Sequence, residues 1–335
     1  MRGIAALSVF TIHASKLIAP VLVPHAYLAV DLFFLLSGFV IDHAYSDKLA
    51  RQLTPGRFII ARYIRLYPLY LIGLSIGFAG AGISLAMGQG VHSGASLAVA
   101  TITGLFMLPS STATHDVALV PLNYPAWSLL FELAVNVIFA LTFRWLTTRV
   151  LLVIATVAAL CLCWTAYAYG SIDHGMAWSL GWVGAIRVTF SFFLGVAIRR
   201  VFTGTCVITR WAYALPLLVL PPMMGFGGTP GDLIAIIFLF PLIIGLAACV
   251  EPPAARTMIM LGTLSYPLYV IHIPTLQFIE RVMTVTRIDP SSIRPTAGII
   301  IVIILAATAL ALDRWYDRPV RRWLSIRLLH RRTTV

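Results

Sequence analysis

The chain has 335 residues, of which 60% are hydrophobic and 11% charged, with a mean hydropathy of +0.93. A water-soluble domain carries about a quarter charged residues and under half apolar ones, so water is not the main solvent of this chain. The net charge of +12 does not mark a nucleic-acid binder, because the basic residues sit between apolar runs rather than on one continuous face.

A helix that crosses a bilayer needs about 20 apolar residues at 1.5 Å rise each. Such runs are expected as helices at about 3–19, 27–45, 66–87, 126–144, 150–169, 180–198, 211–225, 231–249, 258–279 and 296–312. The fold class is therefore all-α, a polytopic transmembrane helical bundle of about ten spans forming a single membrane domain over residues 1–335. No small-x-small cleavage site with a polar chain behind it follows the first run, so that run reads as a span and not as a cleaved leader. An eleventh run at 97–108 is short and precedes a stretch, 109–125, rich in Pro, Ser, Thr and Asn. With the N-terminus inside and ten spans, most Lys and Arg fall on the inner side, leaving Lys16, Arg187, Arg281, Arg287 and Arg294 elsewhere. Were 97–108 also to cross, the Arg-rich end would lie outside. The short run is therefore expected to be a re-entrant or interfacial helix. The expected location is a bacterial inner membrane, with both termini cytoplasmic and 313–335 a basic cytoplasmic tail.

Cys161, Cys163, Cys206 and Cys249 lie in or beside apolar runs, where cysteine acts as a small hydrophobe, and their spacing is not a redox or zinc pattern. There is no glycine-rich phosphate loop, no HExxH and no repeat of fixed period, and no metal is expected.

Ionisable groups inside apolar helices cost a few kcal/mol or more each, so each one invites a functional reading. They are His13, Asp31, Glu132, Arg187 and His272, with Arg2 at the start of the first run. Arg2 and His13, eleven residues apart, fall on one helix face about 16 Å from each other, so one ligand can touch both. A guanidinium near the inner surface suits a coenzyme phosphate, and a neutral imidazole deeper in the bilayer can take a proton from a hydroxyl. The plainer reading makes Arg2 an anchor and His13 a bond to a neighbouring helix. Asp31 can orient His13, bind a sugar hydroxyl or satisfy a helix N-terminus. Glu132, a turn or two below the outer surface, can act in catalysis or pair with a buried arginine such as Arg187. Ser37 and Gly38 suit close helix packing. Arg62 and Arg65 share a face at the mouth of the third run, where they can hold a nucleotide phosphate, hold lipid headgroups or only set topology. Ser265, Tyr269 and His272 form a polar stripe that either lines a cavity or bonds a neighbouring helix.

Taken in order, RGIAALSVFTIH, VDLFFLLSGFVI, ARYIRLYP, NYPAWSLLFE, LGTLSYPLYVIHIP and DRPVRRW resemble the motifs of the acyltransferase family 3 membrane proteins, bacterial O-acetyl and O-acyl transferases of surface glycans. No single one is specific, but six in the same order are. The resemblance implies an acyl-CoA donor, chiefly acetyl-CoA, bound from the cytoplasm. It also implies a hydroxyl acceptor such as a surface glycan or lipid-linked saccharide, and no tightly bound cofactor. It assigns catalysis to His13, with Asp31 and Glu132 as weaker candidates, donor binding to Arg2, Arg62 and Arg65, and acceptor binding to Ser265, Tyr269 and His272. Two features depart from the family pattern. Arg2 follows Met1 directly where the family has several preceding residues, and Asp317 stands where Glu is usual. No hydrolase-like periplasmic domain is attached, so the expected type is the stand-alone form.

A different class also fits buried polar residues, namely a transporter of glycan, lipid or acyl groups. Common transporter folds show inverted repeats, and this sequence has none. Acyl-CoA turnover by purified protein without a gradient separates the two.

Overall fold

The computed structural model describes residues 1–88, 93–110, 118–202 and 207–329. Cys206, part of the 109–125 stretch and the last residues of the basic tail lie outside the described residues. In chain order, α1 is Arg2–His13, α2 Leu28–Arg51, α3 Pro55–Ala86, α4 Gly94–Leu105 and α5 Ala126–Thr142. Then follow α6 Thr148–Tyr169, α7 Gly181–Val201, α8 Gly228–Ala248, α9 Arg256–Thr286 and α10 Thr296–Leu329. Eight of these, all but α1 and α4, are long and apolar enough to cross a membrane.

Local chemistry sets the boundaries. The Thr54 and Thr147 hydroxyls accept from the backbone N–H of Arg57 and Val150 and so cap α3 and α6, and Pro55 opens α3 where its missing N–H costs nothing. Gly170 closes α6 with a left-handed φ of 69°.

Two of the ten expected spans are irregular, and proline accounts for the breaks in the second. The 3–19 run is not one helix. It stops at His13 and, after Ala14, continues as a single turn, Ser15–Ile18, before Pro20 removes the next donor. Val23 N–H donates to Thr11 Oγ1, folding the following chain back against the end of α1. The 211–225 run, interrupted by Pro216, Pro221 and Pro222, is a series of short turns over Arg210–Tyr213, Leu215–Val219 and Leu220–Met223. That segment still joins the two ends of the bundle. At one end Val207 and Ile208 pair with Val250 and Glu251, and at the other the Met223 carbonyl accepts from His25 N–H. A 3₁₀ rise of about 2 Å per residue lets so short a stretch cover the distance.

Residues 313–329 are helical: a π turn over Asp313–Asp317 carries α10 on to Leu329, and its last part packs on α3. The 97–108 run is the short helix α4. Its terminal carbonyls, of Gly104 and Leu105, accept from the Tyr70 and Tyr67 hydroxyls of α3.

The closest packing is between α2 and α7, where small residues let backbones touch. A Cβ on Gly38 would lie 2.0 Å from the Phe192 carbonyl oxygen, and one on Gly195 would lie 2.1 Å from that of Leu35. Gly38→Val must therefore push the two helices apart. We expect it to cost about 1–3 kcal/mol or more, read as a lower midpoint of unfolding in detergent.

Candidate functional site

Against α9 lies α1, and this packing decides the site. In α9, Pro274 has no N–H for the Val270 carbonyl, which accepts instead from Asn123 Nδ2 at 3.3 Å. Two residues before that proline, His272 is almost fully buried, and its ring meets His13 with centroids 5.2 Å apart, edge to face. His13 Nδ1 is 2.9 Å from the Val9 carbonyl and 3.4 Å from His272 Nε2, while His272 Nδ1 is 2.8 Å from the Tyr269 carbonyl. A carbonyl oxygen only accepts, so these contacts assign the proton of each ring to Nδ1. His13 Nε2 is then left with its lone pair. His272 Nε2 becomes the acceptor facing His13 Nδ1–H, placed as the carboxylate is in a serine protease triad but uncharged.

Near the Arg2 end of α1 lies a cavity of about 360 Å³, lined by Arg2, Phe33, Ser128, Glu132, Ser265 and Tyr266 among others. Arg62 Nη2 donates to Glu132 at 3.1 Å and Ser37 Oγ donates to the same oxygen at 2.8 Å. Glu132 is thus partnered by Arg62, not by Arg187. Arg65 sits over the Tyr266 ring and 3.7 Å from the buried Asp317. Arg2 lies within electrostatic reach of Glu132, Arg62 and Arg65, with its guanidinium 5.9 Å from the Phe33 ring centroid and its Nε buried without a hydrogen-bond partner. Arg2, Arg62 and Arg65 are thus grouped with two carboxylates, Glu132 and Asp317.

A second, larger cavity of about 740 Å³ lies at the His13 end, lined by His13, Tyr27, Tyr124, Trp127, Asp173 and Met176 among others. Val30 and Tyr269 line both cavities and form the wall between them. Tyr269 is fixed there by a 2.8 Å contact with Ser128 Oγ and by donation to the Pro125 carbonyl at 3.1 Å. Tyr27 is held by donation to the buried Asp232, which also bonds His25 Nδ1 at 2.6 Å. Ser265 Oγ donates to the Gly262 carbonyl of its own helix and lies on the Arg2 side of the wall.

Asp31 does not reach His13. It is buried against Arg187, whose Nη2 and Nε lie 2.6 and 3.2 Å from its oxygens, and Arg187 also donates to the Tyr27 and His174 carbonyls at 3.0 Å each. This is a closed knot joining α2, α7 and the two loops beside them. The carboxylate that shares a cavity with His13 is Asp173, in the loop after α6, and burial pushes its carboxyl above the usual range although Arg187 and His174 oppose this. Sequence reasoning missed Asp173, because an aspartate in a polar loop carries no signal. The His13–His272 contact was also missed, since both residues were found but 259 positions separate them.

A helical bundle that holds two adjoining pockets, one beside Arg2 and one beside His13 with Val30 and Tyr269 between them, defines a membrane protein built around a polar site. A family model described as an acyltransferase domain, that of acyltransferase family 3, matches residues 1–312, and the chain belongs to this family. It is also similar to the protein named "Protein 2 in picA locus" of Rhizobium radiobacter, 42% identical over 157 residues that make up 43% of this chain and 78% of that protein. No solved structure matches it.

Proposed function

We propose that the protein is a membrane O-acyltransferase that takes an acyl group, chiefly acetyl, from cytoplasmic acyl-CoA and passes it to a hydroxyl of a surface glycan, a lipid-linked sugar or a similar acceptor. The observation that carries this reading is the placement of the His13–His272 pair one cavity beyond a pocket lined by Arg2 and Glu132, with Arg62 and Arg65 within electrostatic reach of Arg2. Cationic side chains at this pocket suit the phosphates of coenzyme A, which makes that end cytoplasmic, in keeping with the distribution of Lys and Arg along the chain. The helix rise puts His13 about 16 Å from Arg2, a length that the extended arm of the coenzyme can cover. The thioester passes Tyr269 and meets the acceptor hydroxyl at His13. Nε2 takes the hydroxyl proton as the oxygen bonds to the acyl carbon, the carbon–sulfur bond breaks, and the imidazolium returns the proton to the coenzyme thiolate. Asp31 and Glu132, both held by arginine, serve the frame around the site rather than the proton transfer.

The transporter reading predicts no chemistry. Purified protein in detergent, given acetyl-CoA and a mixture of sugar acceptors with no gradient, is expected to release free thiol and form O-acetyl sugar. Thiol release and acylated product both at the protein-free level would overturn the enzyme reading.

A further inference from the structure

The two cavities differ in their charged groups. At the Arg2 end, Arg2 lines the pocket together with Glu132, which is paired with Arg62. At the His13 end the buried Arg187 is paired with Asp31 and gives two further N–H groups to backbone carbonyls, leaving one Nη1–H on the side of Asp173. Asp173 is 4.0 Å from Arg187 Nη1, beyond hydrogen-bond range, and its side chain is 36% exposed. Among the described residues its carboxylate accepts no hydrogen bond. It lines the cavity with His13, Trp127, Tyr27 and Tyr124, whose aromatic faces give that space an apolar wall. The cavity thus presents a carboxylate that is ion-paired at 4.0 Å but free of hydrogen bonds among the described residues, beside ring faces and a base. Such a set takes a molecule with hydroxyl donors on its rim, an apolar ring face and no negative charge.

Resting on the acyltransferase reading above, we propose that Asp173 selects the acceptor: its carboxylate takes hydrogen bonds from hydroxyls of an uncharged, sugar-like polyol and turns away acceptors that carry a carboxylate or phosphate near the reacting hydroxyl. Charge-assisted bonds of this kind are roughly twice as strong as neutral ones, and a like charge at the same place is repelled. The same charge keeps the polyanionic donor on its own side of Tyr269, so donor and acceptor are sorted by sign before they meet at His13.

The test is a binding measurement that needs no acyl donor. Full-length protein in lipid nanodiscs is titrated with methyl glucopyranoside or methyl glucopyranosiduronate, which differ only in the carboxylate, and binding is read by saturation-transfer NMR. Wild type is expected to bind the neutral glycoside at least tenfold better. Asp173→Asn is expected to weaken the glycoside about tenfold and to gain the uronate. A gain of binding cannot arise from misfolding, and the wild-type preference stands as a separate measurement should the variant not fold. Equal binding of both probes, binding of neither, or unchanged discrimination in a folded Asp173→Asn would each overturn the assignment. Acetyl-CoA turnover that persists in that event leaves the enzyme reading standing, whereas discrimination without any turnover keeps the Asp173 assignment and removes the chemistry.

Discussion

His13→Ala is expected to reduce acyl transfer at least about 100-fold while the protein remains folded and inserted, since a positioned general base contributes about 10²–10⁴-fold. The side chain borders a cavity, so its loss creates no new packing defect of the kind a core truncation leaves. His272→Ala is expected to do less, about tenfold, and to act through kcat with little change in KM, because the ring itself lines neither cavity and meets His13 from behind. His272→Gln, which keeps an acceptor within reach of His13 Nδ1, is expected to recover part of that loss. The double variant His13→Ala/His272→Ala is expected to be no worse than His13→Ala alone, as groups that act as one unit are not additive. Steady-state thiol release, with size-exclusion profiles in detergent for each variant, checks all four statements. An active His13→Ala protein would sink the mechanism.

The architecture was legible to different depths in different places. Eight long helices follow from run length alone, because a lipid-facing helix must be apolar over about 20 residues whatever it packs against. The interruption of the 211–225 run was written in Pro216, Pro221 and Pro222, but hydropathy averages over a window and does not see a missing N–H; the break of the 3–19 run at Ala14 carries no such mark. The continuation of α10 to Leu329 was hidden because a basic segment looks solvated until Asp313 and Asp317 are seen to face Arg318, Arg321 and Arg65. Within the site, helix periodicity placed Arg2 and His13 on one face. Which carboxylate each arginine meets depends on how α2, α3, α5 and α7 are arranged in space, and no local spacing contains that. Hence Asp31 looked like a partner for His13 when it is committed to Arg187, and Glu132 looked free for Arg187 when it is committed to Arg62.

Asp31→Ala is expected to cost about 3–5 kcal/mol of stability, the penalty for leaving a buried guanidinium without its counter-charge. Arg187→Ala should be similarly severe, for it strands the Asp31 carboxylate and takes the guanidinium donor from the His174 carbonyl. The consequence is a loss of folded protein, since the knot ties α2 to α7 and to the loops that shape the cavity around His13. The expected reading is low yield and an earlier unfolding midpoint for both single variants, with any surviving folded fraction retaining turnover per molecule far above that of His13→Ala. Replacing the pair together, as Asp31→Leu with Arg187→Met, removes both charges at once and is expected to be milder than the sum of the single changes, by about 2 kcal/mol or more of coupling. If Asp31 instead serves the chemistry directly, the pattern reverses: Asp31→Ala would fold normally, and its activity would fall as far as that of His13→Ala. The ratio of activity to folded protein across the two variants therefore separates the carboxylate that holds the frame from the imidazole that works within it.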